Sequence, residues 1–337
     1  MCQKKTIFKI EKSTNKNSRK VLVTGATGFI GHQLVKFLSQ SGRNVLAVSR
    51  TRSNIRIVHP LVEWSCIPDL ATLNDGPSLD GVDSVVHLAA RVHIRTETSN
   101  DPLAAYRQVN LRVTELLAKV CARSGVRRFV FISSVGVNGN NSNSTPFTAE
   151  ATPSPHNAYT LSKWEAEQRL FELGAGTGME IVCIRPPLVY GPRVKANFLL
   201  MMRWLTRKIP LPLASANSKK SLVSITNLVD LILICLDHPD AANQTFLVSD
   251  DEDISTSDLL RQMGALLRNG KIPNLLPVPI KLLELGAKLT GKEEMARSLL
   301  CNLQVDISKT KRLLGWKPPI SLSNGLKKTA EWYLDHN

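Results

Sequence analysis

The stretch Val21-Leu22-Val23-Thr24-Gly25-Ala26-Thr27-Gly28-Phe29-Ile30-Gly31 decides the fold. Its first residues are apolar and β-branched, as a short buried strand requires, and beyond it Leu34, Val35 and Leu38 recur at helical spacing. Strand, glycine turn and helix are therefore predicted. Each glycine has its own task there: Gly25 for the tight turn, Gly28 for backbone approach to a diphosphate, Gly31 for close packing of helix on strand. The helix N-terminus then faces the diphosphate and stabilises its charge. Dinucleotide binding through Gly25, Thr27, Gly28, Phe29, Ile30 and Gly31 is the functional reading, and a merely structural glycine turn is the alternative.

Outward from this turn the chain keeps alternating. Strands are predicted at 44–48, 61–66, 83–88, 128–133 and 180–185, and helices at 103–122 and 158–173. This rhythm predicts an α/β fold, a Rossmann-type doubly wound parallel sheet with helices on both faces. Past Pro192 it breaks up into a helix over 197–208, the proline-bounded Ile209-Pro210-Leu211-Pro212, a segment 221–225, a helix to Leu236 and a strand over 245–248. The expected organisation is a basic flexible tail over 1–19, a dinucleotide-binding domain over 20–192, and a smaller substrate-binding lobe over 193–337 that sends segments back to the core.

At 337 residues with 43% apolar content, the chain can bury a large core without staples. Its six cysteines form no CxxC pair and have no histidine cluster nearby, which predicts reduced thiols in the cytoplasm and no metal site. No apolar run is long enough to span a bilayer, and no signal-peptide pattern opens the chain. The net charge is +15, of which the first twenty residues hold seven Lys or Arg against Glu11. With aromatics at only 5% and no aromatic-rich basic strand, nucleic-acid binding is suggested by the charge alone and is not expected, and a solvated tail is the expectation.

An acid about twenty residues past the glycine turn normally accepts the ribose hydroxyls of NAD. Here the second strand ends in Val48-Ser49-Arg50-Thr51-Arg52, with no acid. Ser49 and Arg50 suit a 2'-phosphate, so NADP(H) is preferred and NAD(H) is the second choice, unless the arginines only decorate a loop. Asp69-Leu70 is a candidate adenine contact or an ordinary turn.

Tyr159 and Lys163 stand at i and i+4 on a predicted helix, and Ser134 stands at the C-terminal end of a strand, where ligands bind in open α/β sheets. A free tyrosine has a pKa of roughly 10, so a neighbouring ammonium and a positive cofactor ring are needed for it to move protons near neutrality. The three residues form a complete proton-handling set.

The glycine turn, Leu88-Ala89-Ala90, Asn110, Ser133-Ser134, Tyr159 to Lys163 and Arg185-Pro186-Pro187-Leu188-Val189-Tyr190-Gly191-Pro192 occur in order. Together they resemble the extended short-chain dehydrogenases/reductases, the NAD-dependent epimerase/dehydratase family. The resemblance implies a nicotinamide cofactor and a UDP-sugar substrate, with Leu88, Ala89, Ala90, Asn110, Pro186, Tyr159 and Lys163 around the cofactor. It implies that Ser134 bonds the reacting oxygen, Tyr159 is the acid/base, and Lys163 binds ribose and tunes Tyr159. A homodimer is compatible with it.

Sugar dehydratases of the family carry an Asp-Glu type pair after the Ser/Thr, whereas this chain has Val135-Gly136, so elimination of water is disfavoured. C4 reduction of a UDP-4-keto sugar for surface polysaccharide is expected, with UDP-glucose or UDP-N-acetylglucosamine 4-epimerisation as the alternative and a non-catalytic NADPH-binding regulator as a distant third. Asn138, where many members have tyrosine, predicts a different sugar pocket. Asn197 and Lys220 fall where the family holds the substrate diphosphate, with a merely polar surface role for each as the alternative; Arg297 lies only near a further family arginine, and His93 is read as structural rather than catalytic.

Overall fold

The computed structural model describes residues 19–52, 55, 57–70, 79–92, 101–207, 209–291 and 293–336. The basic tail to residue 18 and His93 lie outside them. Seven parallel strands build the main sheet: β1 (Lys20–Thr24), β2 (Val45–Ser49), β3 (Val62–Cys66), β4 (Val82–His87), β5 (Arg128–Ile132), β6 (Glu180–Arg185) and β9 (Gln244–Leu247). Their order is β3-β2-β1-β4-β5-β6-β9. The winding reverses between β1 and β4, and the crevice at the carboxyl ends of those strands is where such a sheet binds ligands.

One face of the sheet is covered by α1 (Phe29–Gln40) and α6 (Ile225–Asp237), whose Leu34, Leu38, Leu228 and Ile232 are buried against Val23 and Val130. The other is covered by α3 (Val113–Arg123) and α4 (Ala158–Thr177), through Leu117, Cys121, Ala166 and Leu170. Cys121, Cys183 and Cys235 are buried packing residues, and burial pushes their thiols up. The helix expected over 103–122 is divided: α2 (Pro102–Arg107) passes through a π-helical turn at Gln108–Arg112 before α3 begins.

The smaller lobe is built on a three-stranded sheet in the order β10-β8-β7, from β7 (Leu188–Tyr190), β8 (Lys219–Ser224) and β10 (Asp253–Ser255). Because β7 pairs with β8, the lobe begins before Pro192, a few residues earlier than the sequence suggests. Around this sheet lie α5 (Ala196–Thr206), α7 (Thr256–Leu267) and α11 (Leu322–His336); α8 (Ile280–Leu289) and α9 (Glu293–Leu300) form an outer pair. The chain returns to the core, with β9 beside β6, and with Leu314 of α10 (Ser308–Leu314) and Trp316 buried there.

Candidate active site

The glycine turn lies at the winding reversal. Gly25 has φ 65°, and a Cβ on it would come 2.8 Å from the Ala89 nitrogen, so the loop after β4 can approach only a glycine. A Cβ on Gly31 would run into the Gly25 carbonyl. Gly28 stands at the start of α1 with no side chain capping it, and no acid occupies the first helical turn. The helix thus presents unclaimed N–H groups to the crevice, as an anion requires. At the end of β5 the buried Ser133 hydroxyl has no partner among the described residues. An uncapped helix end, a cradle that any Cβ would fill and an orphan hydroxyl fit a dinucleotide.

Ser134 follows β5 and opens a short 3-10 turn, where its Oγ accepts the Gly136 N–H at 3.1 Å. The phenol of Tyr159, in the first turn of α4, is near enough for the Ser134 hydroxyl to favour its ionised form. Asn157 fixes that turn by accepting the Thr160 N–H at 2.9 Å, while Thr160 Oγ1 accepts the Asn157 N–H. Tyr106 meets the Tyr159 ring edge-on at 6.1 Å. Burial pushes the phenol up to about 12, and the Ser134 hydroxyl partly opposes it.

Lys163 is buried. Its ammonium donates to the Ile132 carbonyl at 2.8 Å and lies 4.3 Å over the Phe131 ring. Burial brings it down to about 7, against the opposing Glu167 carboxylate. The sequence expects this ammonium to tune Tyr159, but one of its three N–H donors is spent on the strand end.

Of the groups that hold this arrangement, the sequence reading named Asn110 and passed over Ser162, His87 and Thr114. Asn110, in the π-turn, donates to Ser162 Oγ at 3.0 Å and exchanges hydrogen bonds with the backbone of Arg91. Ser162 in turn donates to the Tyr159 carbonyl. Buried His87, at the end of β4, bonds Thr24 Oγ1 through Nδ1 at 2.7 Å and Thr114 Oγ1 through Nε2 at 3.0 Å. Thr114 gives its own proton to the Asn110 carbonyl, so the ring donates from Nε2 and accepts at Nδ1. Burial, with the Lys163 charge, drops this imidazole to about 3, and it stays neutral. Only the positions of Thr24 and His87 at strand ends could have flagged them.

The remaining sequence candidates divide. The backbone of Leu88 and Ala89 packs against Gly25, with Ala90 next along the chain, and the Pro186 carbonyl accepts the Val135 N–H beside Ser134. Asp69 and Leu70 follow β3, next to the end of β2. Ser49 is buried and donates its proton to the Thr51 carbonyl at 2.8 Å, so the exposed Arg50 and Arg52 are the cations at that corner. Asn197 is exposed at the start of α5. Lys220 is inside β8, not before it, and its ammonium donates to the Cys301 carbonyl; burial lowers it to about 8. Arg297 lies on α9, beside the same cavity wall as Cys301. Asn138 is buried and bonds Arg185 and the Thr148 carbonyl, where Arg185 pairs with buried Glu167 at 2.6 Å. Among the described residues no group of three His, Cys, Asp or Glu could hold a metal ion, and no helix is long and apolar enough to cross a membrane.

A diphosphate cradle, a Ser–Tyr pair and a buried lysine at the mouth of one parallel sheet define a nicotinamide-dependent enzyme of the extended short-chain type. The model of the NAD dependent epimerase/dehydratase family matches residues 21–249. A UDP-glucose 4-epimerase of Vibrio cholerae is 45% identical over 96% of this chain and 98% of its own length. An N-acetyl-α-D-glucosaminyl-diphospho-ditrans,octacis-undecaprenol 4-epimerase of Escherichia coli O157:H7 is 28% identical over 94% and 96%. The solved UDP-glucose 4-epimerase of Thermotoga maritima, with UDP-glucose, superposes with a TM-score of 0.75 at 22% identity, covering 94% of this chain and 99% of that one. The chain belongs to the NAD dependent epimerase/dehydratase family.

Proposed function

We propose that this protein is a UDP-hexose 4-epimerase, inverting C4 of UDP-glucose or of its N-acetylated counterpart. The carrying observation is at Gly136. A Cβ there would come 2.5 Å from Thr160 Cγ2, so the second carboxylate of the pair that a dehydratase places after its Ser/Thr would have to displace Thr160, and Val135 stands in the place of the first. What is left is one Ser–Tyr pair, enough to take and return the proton of a single hydroxyl. The Vibrio cholerae relative, named as a UDP-glucose 4-epimerase, supports this reading over the 4-keto reductase expected from the sequence.

Bound nicotinamide would supply a reversible hydride acceptor and donor at C4. Ser134 would hold the C4 oxygen, and Tyr159 would take its proton as the carbonyl forms and return it to that same oxygen, inversion coming from return of the hydride to the opposite face of C4. The two N–H donors Lys163 does not spend on Ile132 would bind the ribose. Asn197 and Lys220 are proposed for the substrate diphosphate, Lys220 after leaving the Cys301 carbonyl. We place the enzyme in the cytoplasm, in keeping with its unpaired buried thiols, and as a homodimer.

A second reading, the reductase, has one observation in its favour: the acid-free end of β2 with Arg50 and Arg52, which suits NADP(H) over NAD(H). Incubation with UDP-glucose separates the two. Interconversion with UDP-galactose at constant nicotinamide absorbance supports the epimerase. Stoichiometric NADPH loss with a UDP-4-keto-6-deoxy-N-acetylhexosamine, and no interconversion, supports the reductase.

A further inference from the structure

Helix α8 is apolar on two sides. Leu283 and Ala287 face inward, lining a cavity with Pro212 and Leu213. Leu282, Leu285 and Leu289 face out, with 58%, 54% and 79% of their surface in solvent. At 3.6 residues per turn these three fall within about 60° of arc. Burial in the fold explains the inner side and leaves the outer one unexplained, since an exposed apolar stripe on a surface helix marks an interaction site.

The charges beside the stripe indicate what meets it. Lys281 and Lys288 are exposed along one border of it, Lys271 is exposed just upstream, and Glu284 is the one acid on the helix. A helix with a leucine stripe edged by lysines suits an anionic bilayer: apolar side chains enter the headgroup boundary while ammonium groups meet lipid phosphates. A second copy of this chain would set the same lysines against one another. We propose that α8 docks the protein on the surface of an anionic lipid membrane.

The test is co-sedimentation of the full chain with phosphatidylcholine vesicles, with and without phosphatidylglycerol. Wild type should pellet with the mixed vesicles and stay in solution with phosphatidylcholine alone. A Leu285→Glu, Leu289→Glu double variant and a Lys281→Glu, Lys288→Glu double variant should each bind roughly 10-fold more weakly or worse, with unchanged circular dichroism. A Leu285→Trp variant should shift its emission to the blue on the mixed vesicles. The basic N-terminal segment is present in every variant. Equal pelleting of wild type and both double variants would therefore assign binding to that segment and overturn the proposal. So would absence of binding by wild type, or a dimer in light scattering that the leucine variant abolishes without any vesicle binding.

Discussion

Asn110 donates a 3.0 Å hydrogen bond to Ser162 across the interface of the π-turn with α4, and Ser162 passes the constraint to the backbone of Tyr159. The amide can reach because the π-turn inserts a residue into the helical run and turns Asn110 inward, where it is fully buried. Replacing it with alanine orphans the Arg91 N–H and frees the first turn of α4. Asn110→Ala should cost about 1–3 kcal/mol in denaturant unfolding and lower kcat by roughly 10²-fold through a misplaced Tyr159. Unchanged kcat in a folded variant would separate the π-turn from catalysis.

Tyr159→Phe keeps the ring against Tyr106 and removes the proton. Turnover should fall by roughly 10² to 10⁴ with the melting temperature little changed. Because burial holds the phenol at about 12, the enzyme without cofactor should titrate this tyrosine only near that pH. The wild-type minus Phe difference in phenolate absorbance measures it, and a transition near neutrality would contradict the structure.

His87 makes a stability prediction with a definite sign. Its folded pKa is about 3, below the roughly 6.5 of an unfolded histidine. The unfolded chain therefore binds the extra proton between those values. Stability is complete above about 6.5 and is lost as pH falls toward 3, by up to several kcal/mol. A His87→Gln variant, keeping a donor and an acceptor, should show a flatter loss over that window in urea titrations. Parallel profiles would remove His87 as the cause.

We propose that Arg50 sets cofactor preference at the end of β2. Since Ser49 gives its proton to Thr51, the 2'-phosphate would rely on the exposed guanidinium groups. Calorimetric titration should show tighter binding of NADP than of NAD, and Arg50→Asp should reverse the order by adding repulsion where attraction stood. Tighter NAD binding by wild type would assign the arginines to the surface alone.

The features legible in the sequence are those set by local rules. The glycine turn, the alternation of strands and helices and the i, i+4 spacing of Tyr159 and Lys163 each need only neighbouring residues, and the structure has them in place. What escaped depends on partners far along the chain. The π-turn at Gln108–Arg112 keeps an apolar pattern close to that of an α-helix, so periodicity cannot show it. Lys163 meets the carbonyl of Ile132, and Asn138 meets Arg185; neither pairing has a signal in spacing. Lys220, read as a ligand for phosphate, holds a backbone carbonyl because β8 runs beside the segment after α9.

The central claim is that one Ser–Tyr pair inverts C4 and that the hydride returns to the sugar it left. UDP-galactose carrying deuterium at C4 tests this most directly, by mass and proton spectra of the sugars after turnover. The account predicts UDP-glucose with deuterium retained at C4 and none in the free nicotinamide pool. Deuterium in released reduced cofactor, or recovery of UDP-galactose alone from folded enzyme, would contradict it.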